Sequence, residues 1–307
     1  MIKRKRLIVV YNPRSSHYRL VKRDILSKTP KLEGWMVGKF EVADTDVDDN
    51  AKRLALILND DDLVVAAGGD GTANIAINGI MLSKATGVRI GVLGYGNFND
   101  TARTFGVQKF EDILKGDAQE VWPLELSING KHWRYGMCYF TLGMFAEACA
   151  VFDHPKTRKA LQSGRKRTFF SLGVLARWWL KQRKKHAMPD YVLGNSSEEY
   201  LEIKNTSDYM AVNGRTVAKM MKGGKYFLQN ETFLSYNGLM TKFFRLCGMM
   251  IKSIFHRVPG TESEYDQLVF KKPAKIMFQA EGEYKKIDGV ELVEVRKSRK
   301  PLLAIMK

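Results

Sequence analysis

Cysteine is scarce in this chain of 307 residues: Cys138, Cys149 and Cys247 are the only three, and no pair has C-x-x-C spacing. An odd, widely spaced set builds neither a disulfide framework nor a zinc site, so all three read as packing residues in a reducing compartment. Long apolar runs are missing as well. The basic start Met1-Ile2-Lys3-Arg4-Lys5-Arg6 leads into an apolar stretch too brief for a signal-peptide core. No segment reaches the roughly 20 apolar residues of a spanning helix, and a cytoplasmic protein is expected. The five histidines (His17, His132, His154, His186, His256) have no metal-ligand spacing, and neither H-E-x-x-H nor a serine elbow occurs, which removes those hydrolase classes. There is no G-x-x-x-x-G-K-[ST], so this is not a P-loop enzyme. Gly94-Tyr95-Gly96 lacks the third glycine of the dinucleotide fingerprint, with Asn99 in its place.

Acidic residues are also in short supply. Fifty Lys and Arg against 33 Asp and Glu give a formal charge of +17, with a pI near 9.7. Such a balance calls for an anionic partner, which charge alone leaves open between nucleic acid, an anionic membrane and a phosphorylated ligand. A hydrophobic content of 45% suffices for real cores, and the length suggests two domains.

What the chain does have is Val64-Val65-Ala66-Ala67-Gly68-Gly69-Asp70-Gly71-Thr72-Ala73-Asn74-Ile75, a buried-type strand that breaks into glycine, presents one carboxylate and resumes as a helix. Glycines let backbone pass close to a bulky anion, and the N-terminus of the following helix aims unpaired N–H groups at it. An ordinary strand-to-helix turn needs one or two glycines but gives no reason for a carboxylate between them. Around this turn strands and helices alternate. Strands are expected at 7–11, 36–42, 63–67 and 88–93, and helices at 18–28, 48–58 and 72–82. Alternation of this kind makes a parallel sheet covered by helices, which binds ligands at the C-terminal ends of its strands. The unusual loops, Asn12-Pro13-Arg14-Ser15-Ser16, Gly68 to Thr72 and Gly94 to Arg103, all fall there.

From about residue 120 the pattern turns to β. Residues 124–135 alternate on both sides of Asn129-Gly130, a hairpin signal, and further strands are expected at 140–147, 210–213, 226–229 and 275–280.

Gly68-Gly69-Asp70-Gly71-Thr72 is followed by Gly96-Asn97-Phe98-Asn99-Asp100-Thr101-Ala102-Arg103. Together these resemble the catalytic domain of the diacylglycerol kinase and sphingosine kinase lipid-kinase family, whose pattern is GGDGT and then G-T-x-N-D-x-A-R. Asn12-Pro13-x-Ser15 resembles that family's opening NPxSG, and Thr45, six residues before Ala51, its T-x5-A element. Ser16 departs from the pattern where glycine is usual, Asn97 where threonine is, and Gly94 where proline is. NAD kinases share a GGDGT-like turn; the Asn99-Asp100-x-Ala102-Arg103 block favours the lipid-kinase branch.

The resemblance implies an α/β plus β fold. An N-terminal doubly wound parallel-sheet nucleotide domain (1–119) would be joined to a C-terminal β-sandwich lipid domain (120–295), with residues 296–307 returning to the first domain. It implies ATP and Mg²⁺ as cofactors. Asn12, Ser15, Thr45, Gly68, Gly69, Gly71, Thr72, Gly96 and Asn99 would line the nucleotide site, Asp70 would hold the metal and take part in catalysis, and Asp100 and Arg103 would brace the loop. Late in the second domain the family carries a D/E-G-E motif beside the acceptor hydroxyl. Glu281-Gly282-Glu283 matches it, which makes Glu283 the expected general base. Asn237-Gly238 stands where the pattern has Asp-Gly, so a structural metal found near that position in some bacterial members is expected to be missing.

Residues 154–189 contain eleven Lys and Arg and no acid, and enclose an aromatic, amphipathic helical pattern from Phe169 to Leu180. Phe169, Trp178, Trp179, Lys181, Arg183, Lys184 and Lys185 are therefore expected to rest on an anionic membrane, peripherally on the inner face. Leu239 to Phe255 is a second such stretch. A lipid substrate is the expected partner, nucleic acid is not, and a homodimer is left open. Two other readings remain: a soluble-metabolite kinase of the NAD-kinase type, which would not need the aromatic basic segment, and a nucleic-acid-binding protein. The latter would leave the phosphate-type loops unexplained, and no RRM, KH or zinc-finger pattern occurs.

Overall fold

The computed structural model describes residues 5–106, 109–153, 188–195, 199–204, 206–219, 221–223, 227–238 and 255–307, together with positions 173, 177, 180, 248, 252 and 253. The expected membrane-contact residues Phe169, Trp178, Trp179, Lys181, Arg183, Lys184 and Lys185 lie outside the described residues, as does most of 239–254.

The first domain comprises β1 (Lys5–Tyr11), α1 (Tyr18–Val21), β2 (Trp35–Glu41), α2 (Val47–Ala55), β3 (Leu63–Gly68), α3 (Asp70–Leu82), β4 (Arg89–Gly94), α4 (Asp100–Thr104), α5 (Phe110–Lys115) and β5 (Ala118–Val121). Its sheet has the order β2-β1-β3-β4, then β18 (Leu302–Ile305), then β5, and only β5 runs antiparallel to its neighbour. β5 carries this sheet past residue 119, to Val121. The inner strands β1 and β3 are buried almost throughout because helices cover both faces. Chain order reverses between β1 and β3, so the loops that follow these two strands open onto the crevice where such sheets bind ligands.

α3 is buried nearly all round, from Thr72 to Met81. One side packs on β3. The other meets the second domain, where Asn78 accepts the Tyr135 N–H (2.9 Å) and donates to the Tyr135 carbonyl (2.9 Å). A helix covered on both sides needs no polar face, which explains why its apolar residues fall all round and why its buried Asn74 and Asn78 are hydrogen-bonded to Tyr135 of the second domain.

The second domain contains β6 (Leu124–Ile128), β7 (Lys131–Gly136), β8 (Tyr139–Gly143), α6 (Met144–Asp153), β9 (Tyr191–Asn195), β10 (Tyr200–Ile203), β11 (Asp208–Val212), β12 (Thr216–Val217), β13 (Met221–Lys222), β14 (Phe233–Gly238), β15 (Thr261–Ser263), β16 (Tyr265–Ala280) and β17 (Glu283–Lys297). Ten of these strands form one antiparallel sheet, ordered β15-β14-β11-β8-β16-β17-β6-β7, with β9 attached to β16 and β10 to β9. Bulges between Val269 and Ile276 bend the β16/β17 ribbon. β16 pairs with β9 before them and with β8 after them. Its two halves close over a shared core that includes Leu126, Phe140, Tyr191, Tyr209, Leu268, Phe278 and Val293. Asn129 (φ 49°) and Gly130 (φ 72°) turn the β6/β7 hairpin with both residues left-handed, which this dipeptide tolerates best.

Three expected elements differ. The strand expected at 140–147 stops at Gly143, whose φ of 85° breaks the ladder, and α6 starts there with the buried Asp208 carboxylate accepting the Phe145 N–H (2.6 Å). Residues 227–229 form a 3₁₀ turn, not a strand: Phe227 and Leu228 point into the core while the Leu228 carbonyl accepts from the Trp122 N–H. The helix expected at 18–28 narrows to α1 and then widens into a π turn over Lys22–Leu26, closed by the Ser27 N–H on the Lys22 carbonyl.

Candidate active site

The loops after β1, β2, β3 and β4 meet at one edge of the first sheet. Asn12 shapes the first, its side-chain oxygen accepting the Arg14 N–H (2.9 Å). Ser15 lies in the same turn with a buried hydroxyl that has no hydrogen-bond partner among the described residues. Arg14 ties this loop to the next through the Val42 and Ala43 carbonyls and an ion pair with Asp44 at 2.6 Å. Thr45, on that second loop, is exposed, and its hydroxyl accepts from Asn50 (2.9 Å). Asn50, fully buried, also binds backbone at Ala43 and Asp46 and so holds the whole loop.

Gly68 ends β3, and a Cβ there would stand 2.4 Å from Thr72 Oγ1, so Thr72 packs directly over it. Gly69 precedes α3 and touches Gly96, where a Cβ would lie 2.4 Å from the Gly69 Cα. The two glycine loops therefore contact each other through backbone, which no other residue pair would permit. Asn99, at φ 57°, closes the second loop, accepting the Gly96 N–H (2.6 Å) and donating to the Gly96 carbonyl (2.9 Å).

Asp70 is the link between them. One of its oxygens accepts the Asn99 N–H (2.8 Å) and the other the Thr101 N–H (3.1 Å). Burial, with the carboxylates of Asp100 and Glu281 nearby, pushes Asp70 up to about 7. Asp100 is itself engaged: it accepts from Thr216 Oγ1 (2.7 Å), the Lys219 N–H (2.8 Å) and Tyr139 (3.4 Å), all in the second domain, while Arg103 reaches it at 4.0 Å and otherwise binds the Phe98 carbonyl. Three carboxylates thus gather with little positive charge among them. No three acidic, His or Cys side chains among the described residues form a metal cage, and of the three carboxylates it is Asp70 that could take a divalent cation, its oxygens each having one lone pair left beyond their single backbone bond.

The second domain supplies Glu281 and Glu283 from the tight turn between β16 and β17. Glu281 (φ 52°) and Gly282 (φ 88°) form that turn, with Ala280 paired to Glu283. Glu281 is 1% exposed and its oxygens are taken by Thr101 Oγ1 (2.8 Å) and by the N–H groups of Cys138 and Tyr139. Burial raises its pKa. Glu283 is only half-buried. Its Oε1 would stand 2.6 Å from a Cβ placed on Gly71, so this carboxylate lies against the first turn of α3.

Asp70, Gly68, Gly69, Gly71, Thr72, Gly96, Asn99 and Glu283 are therefore brought to one place, with Asn12 and Ser15 across the crevice and Thr45 on the neighbouring loop. Sequence reasoning missed Arg14 and Asn50, which carry the loops, and Thr216 and Lys219, which lock Asp100. An arginine in an NPxS turn and an asparagine after a helix cap were available signals; nothing in the sequence marked Thr216 or Lys219.

Residues 6–123 match the family model of the diacylglycerol kinase catalytic domain. A diacylglycerol kinase of Bacillus subtilis is 36% identical over 116 residues, 36% of this chain and 36% of that protein. One of Staphylococcus aureus is 32% identical over 124 residues, 38% of this chain and 39% of its own length. The matched segment thus spans little more than a third of these relatives. A diacylglycerol kinase structure from Bacillus anthracis superposes with a TM-score of 0.66 at 15% identity, over 100% of this chain and 98% of that one, and so shares the two-domain fold. With the glycine loops, Asp70 and the Asn99–Arg103 block all in one crevice, residues 6–123 are the part of this chain that is similar to the diacylglycerol kinase catalytic domain.

Proposed function

We propose that this protein is an ATP- and Mg²⁺-dependent kinase that transfers the γ-phosphoryl group to the hydroxyl of a lipid at a membrane surface. The observation that carries this reading is Glu283: a half-exposed carboxylate from the second domain, seated against Gly71 in the first turn of α3. Phosphoryl transfer asks a protein for alignment, charge neutralisation and a group to take the hydroxyl proton. The loop N–H groups at the start of α3 and the Ser15 hydroxyl, which has no partner among the described residues, supply phosphate contacts. Asp70 would hold Mg²⁺, which neutralises phosphate charge when bound. As the acceptor oxygen bonds to the γ-phosphorus, the bond from that phosphorus to the β–γ bridging oxygen breaks, the hydroxyl proton passes to Glu283, and ADP leaves. Glu281 is closed off by its three donors and serves to hold the two domains in register.

The test is transfer of labelled phosphate from ATP to a panel in mixed micelles: diacylglycerol, a sphingoid base, undecaprenol and a glycerophospholipid, with NAD as a soluble arm. Label in a lipid supports the reading; label in NAD alone overturns it. Glu283→Gln should lower kcat by about 10² to 10⁴ fold with the KM for ATP unchanged. If Glu283→Gln turns over normally while Glu281→Gln does not, the two roles exchange.

A further inference from the structure

The two chain crossings between the domains meet at one side chain. Lys297 ends β17, and its ammonium donates to the Trp122 carbonyl on the other crossing (3.3 Å), to the Phe227 carbonyl and to Asn213 Oδ1. Three donors thus meet three acceptors, all of them neutral. The elements packed around the ammonium bring it no titratable group: Trp122 and Pro123 form the crossing, Phe227 to Gln229 the turn, and Asn213 and Gly214 follow β11. Glu125, one residue away in the β6/β17 register, is engaged by Arg296 (3.0 Å) and His132 (3.3 Å). A buried ammonium without a carboxylate costs free energy that a methionine of similar length would not, so the charge calls for a use.

Asn213 leads from this ammonium to the acids of the site. It is fully buried, and its Nδ2 donates to the carbonyls of Trp122 (3.0 Å) and Met137 (2.8 Å), so Oδ1 must face the ammonium. The Met137 carbonyl and the Cys138 N–H belong to one peptide group, and that N–H donates to Glu281 Oε1. The next peptide repeats the pattern. Its Cys138 carbonyl accepts the N–H groups of Asn213 (2.7 Å) and Gly214 (2.8 Å), while its Tyr139 N–H donates to Glu281 Oε1 (3.3 Å). Two successive peptides are therefore held by the Asn213 turn on one side and by the Glu281 carboxylate on the other. Beyond Glu281 stands Thr101, whose hydroxyl binds Glu281 and whose N–H binds Asp70, and two residues along the same turn is Glu283. Each bond in such a chain polarises the next, so positive charge at Lys297 strengthens the N–H groups that hold Glu281.

We propose that Lys297 is a positioning residue for phosphoryl transfer: as an ammonium it fixes Asn213 and the 137–139 peptides on Glu281, and so sets Glu283 against Gly71 across the domain boundary. This rests on the lipid-kinase reading and adds a residue remote from the crevice to it. Without the proton the Asn213 amide loses its anchor and turnover falls, while the nucleotide loops, which belong to the first domain, stay as they are. Burial brings the ammonium down to about 7. The proton is therefore lost as pH rises through that value, the reverse of the site's carboxylates, whose protonation lowers activity as pH falls.

The experiment follows kcat from pH 6 to pH 8.5 at saturating ATP, with a 1,2-diacylglycerol in mixed micelles or whichever panel lipid takes label, and measures ATP affinity alongside. Wild type should lose turnover above pH 7. Lys297→Met removes the donors; it should be about tenfold to a hundredfold slower at pH 6, show no falling limb and bind ATP as wild type does. Lys297→Arg stays charged throughout and should hold its pH 6 turnover to pH 8.5. Urea unfolding gives a readout that needs no substrate: the effects of Lys297→Met and Glu281→Gln should not add in the double variant, although the two side chains share no hydrogen bond. A wild-type profile that stays flat above pH 7, a falling limb that survives in Lys297→Met or Lys297→Arg, ATP affinity lost in step with turnover, or additive urea effects overturns the proposal. A wild type that labels no lipid overturns the kinase reading instead, and the urea cycle still decides the link between Lys297 and Glu281.

Discussion

One methyl group at residue 71 measures how closely the two domains approach. In Gly71→Ala the new Cβ would stand 2.6 Å from Glu283 Oε1, so the carboxylate must swing aside. Turnover should fall toward that of Glu283→Gln, while the melting temperature should not drop, since alanine favours a helix over glycine by about 1 kcal/mol. Asp70 offers a test that does not depend on turnover. Its pKa, pushed up to about 7 by burial and by the neighbouring carboxylates, exceeds that of an unfolded aspartate. Its contribution to stability is therefore full below about pH 4 and is lost as pH rises through 7. Asp208, also raised to about 7 by burial, adds a slope of the same sign. The difference between Asp70→Asn and wild type isolates Asp70. In urea unfolding without nucleotide, Asp70→Asn should gain on wild type between pH 4 and pH 7, and it should have no kinase activity. At this scale the first domain's half of the site was legible, because glycines flanking a carboxylate have few uses. The other half was not. Asp100 and Glu281 are held by Thr216 and by backbone N–H groups of Cys138, Tyr139 and Lys219. Every residue but proline has such a group, so no residue type announces the role.

α3 is the element on which both domains depend. It begins at Asp70, and its buried flank carries Asn78 to Tyr135 on β7, while Arg134, next to it, reaches Asp48 of α2 with two nitrogens. Asn78→Ala leaves the Tyr135 N–H unpaired in the interior and should cost about 1–3 kcal/mol in urea unfolding, a loss no exposed position on α2 would show. A wild-type midpoint in that variant would mean the contact carries no stability. The strand and helix alternation of the first domain was readable because its periods are clear over whole elements. Residues 140–147 and 226–229 were misjudged because both are short apolar runs, whose conformation is decided by distant partners: Asp208 at the start of α6, and Trp122 and Lys297 at the carbonyls of the 227–229 turn.

For the molecule as a whole the net charge is the dominant fact, and much of it lies in 154–189. Replacing Lys181, Arg183, Lys184 and Lys185 by glutamine should weaken binding to anionic vesicles in a sedimentation assay and spare ATP binding. Wild-type binding should also fall with added salt, since screening at physiological ionic strength acts over about 8 Å. Unchanged sedimentation would make the cluster a solvated face. The domains themselves are joined by two strands of chain side by side. β5 passes into β6, and β17 into β18, with Ser298 donating to the Pro123 carbonyl and Lys297 to those of Trp122 and Phe227. Burial there brings the Lys297 ammonium down to about 7.

β18 is an inner strand of the first sheet, inserted between β4 and β5. Its four residues leave the ribosome only after the whole second domain has been made. The sheet that presents the glycine loops must therefore stay unfinished through most of synthesis, with β4 lacking one neighbour. β4 thus finds its β18 neighbour only by a pairing across the whole second domain in sequence, the kind of long-range contact that slows folding and leaves a strand edge open meanwhile.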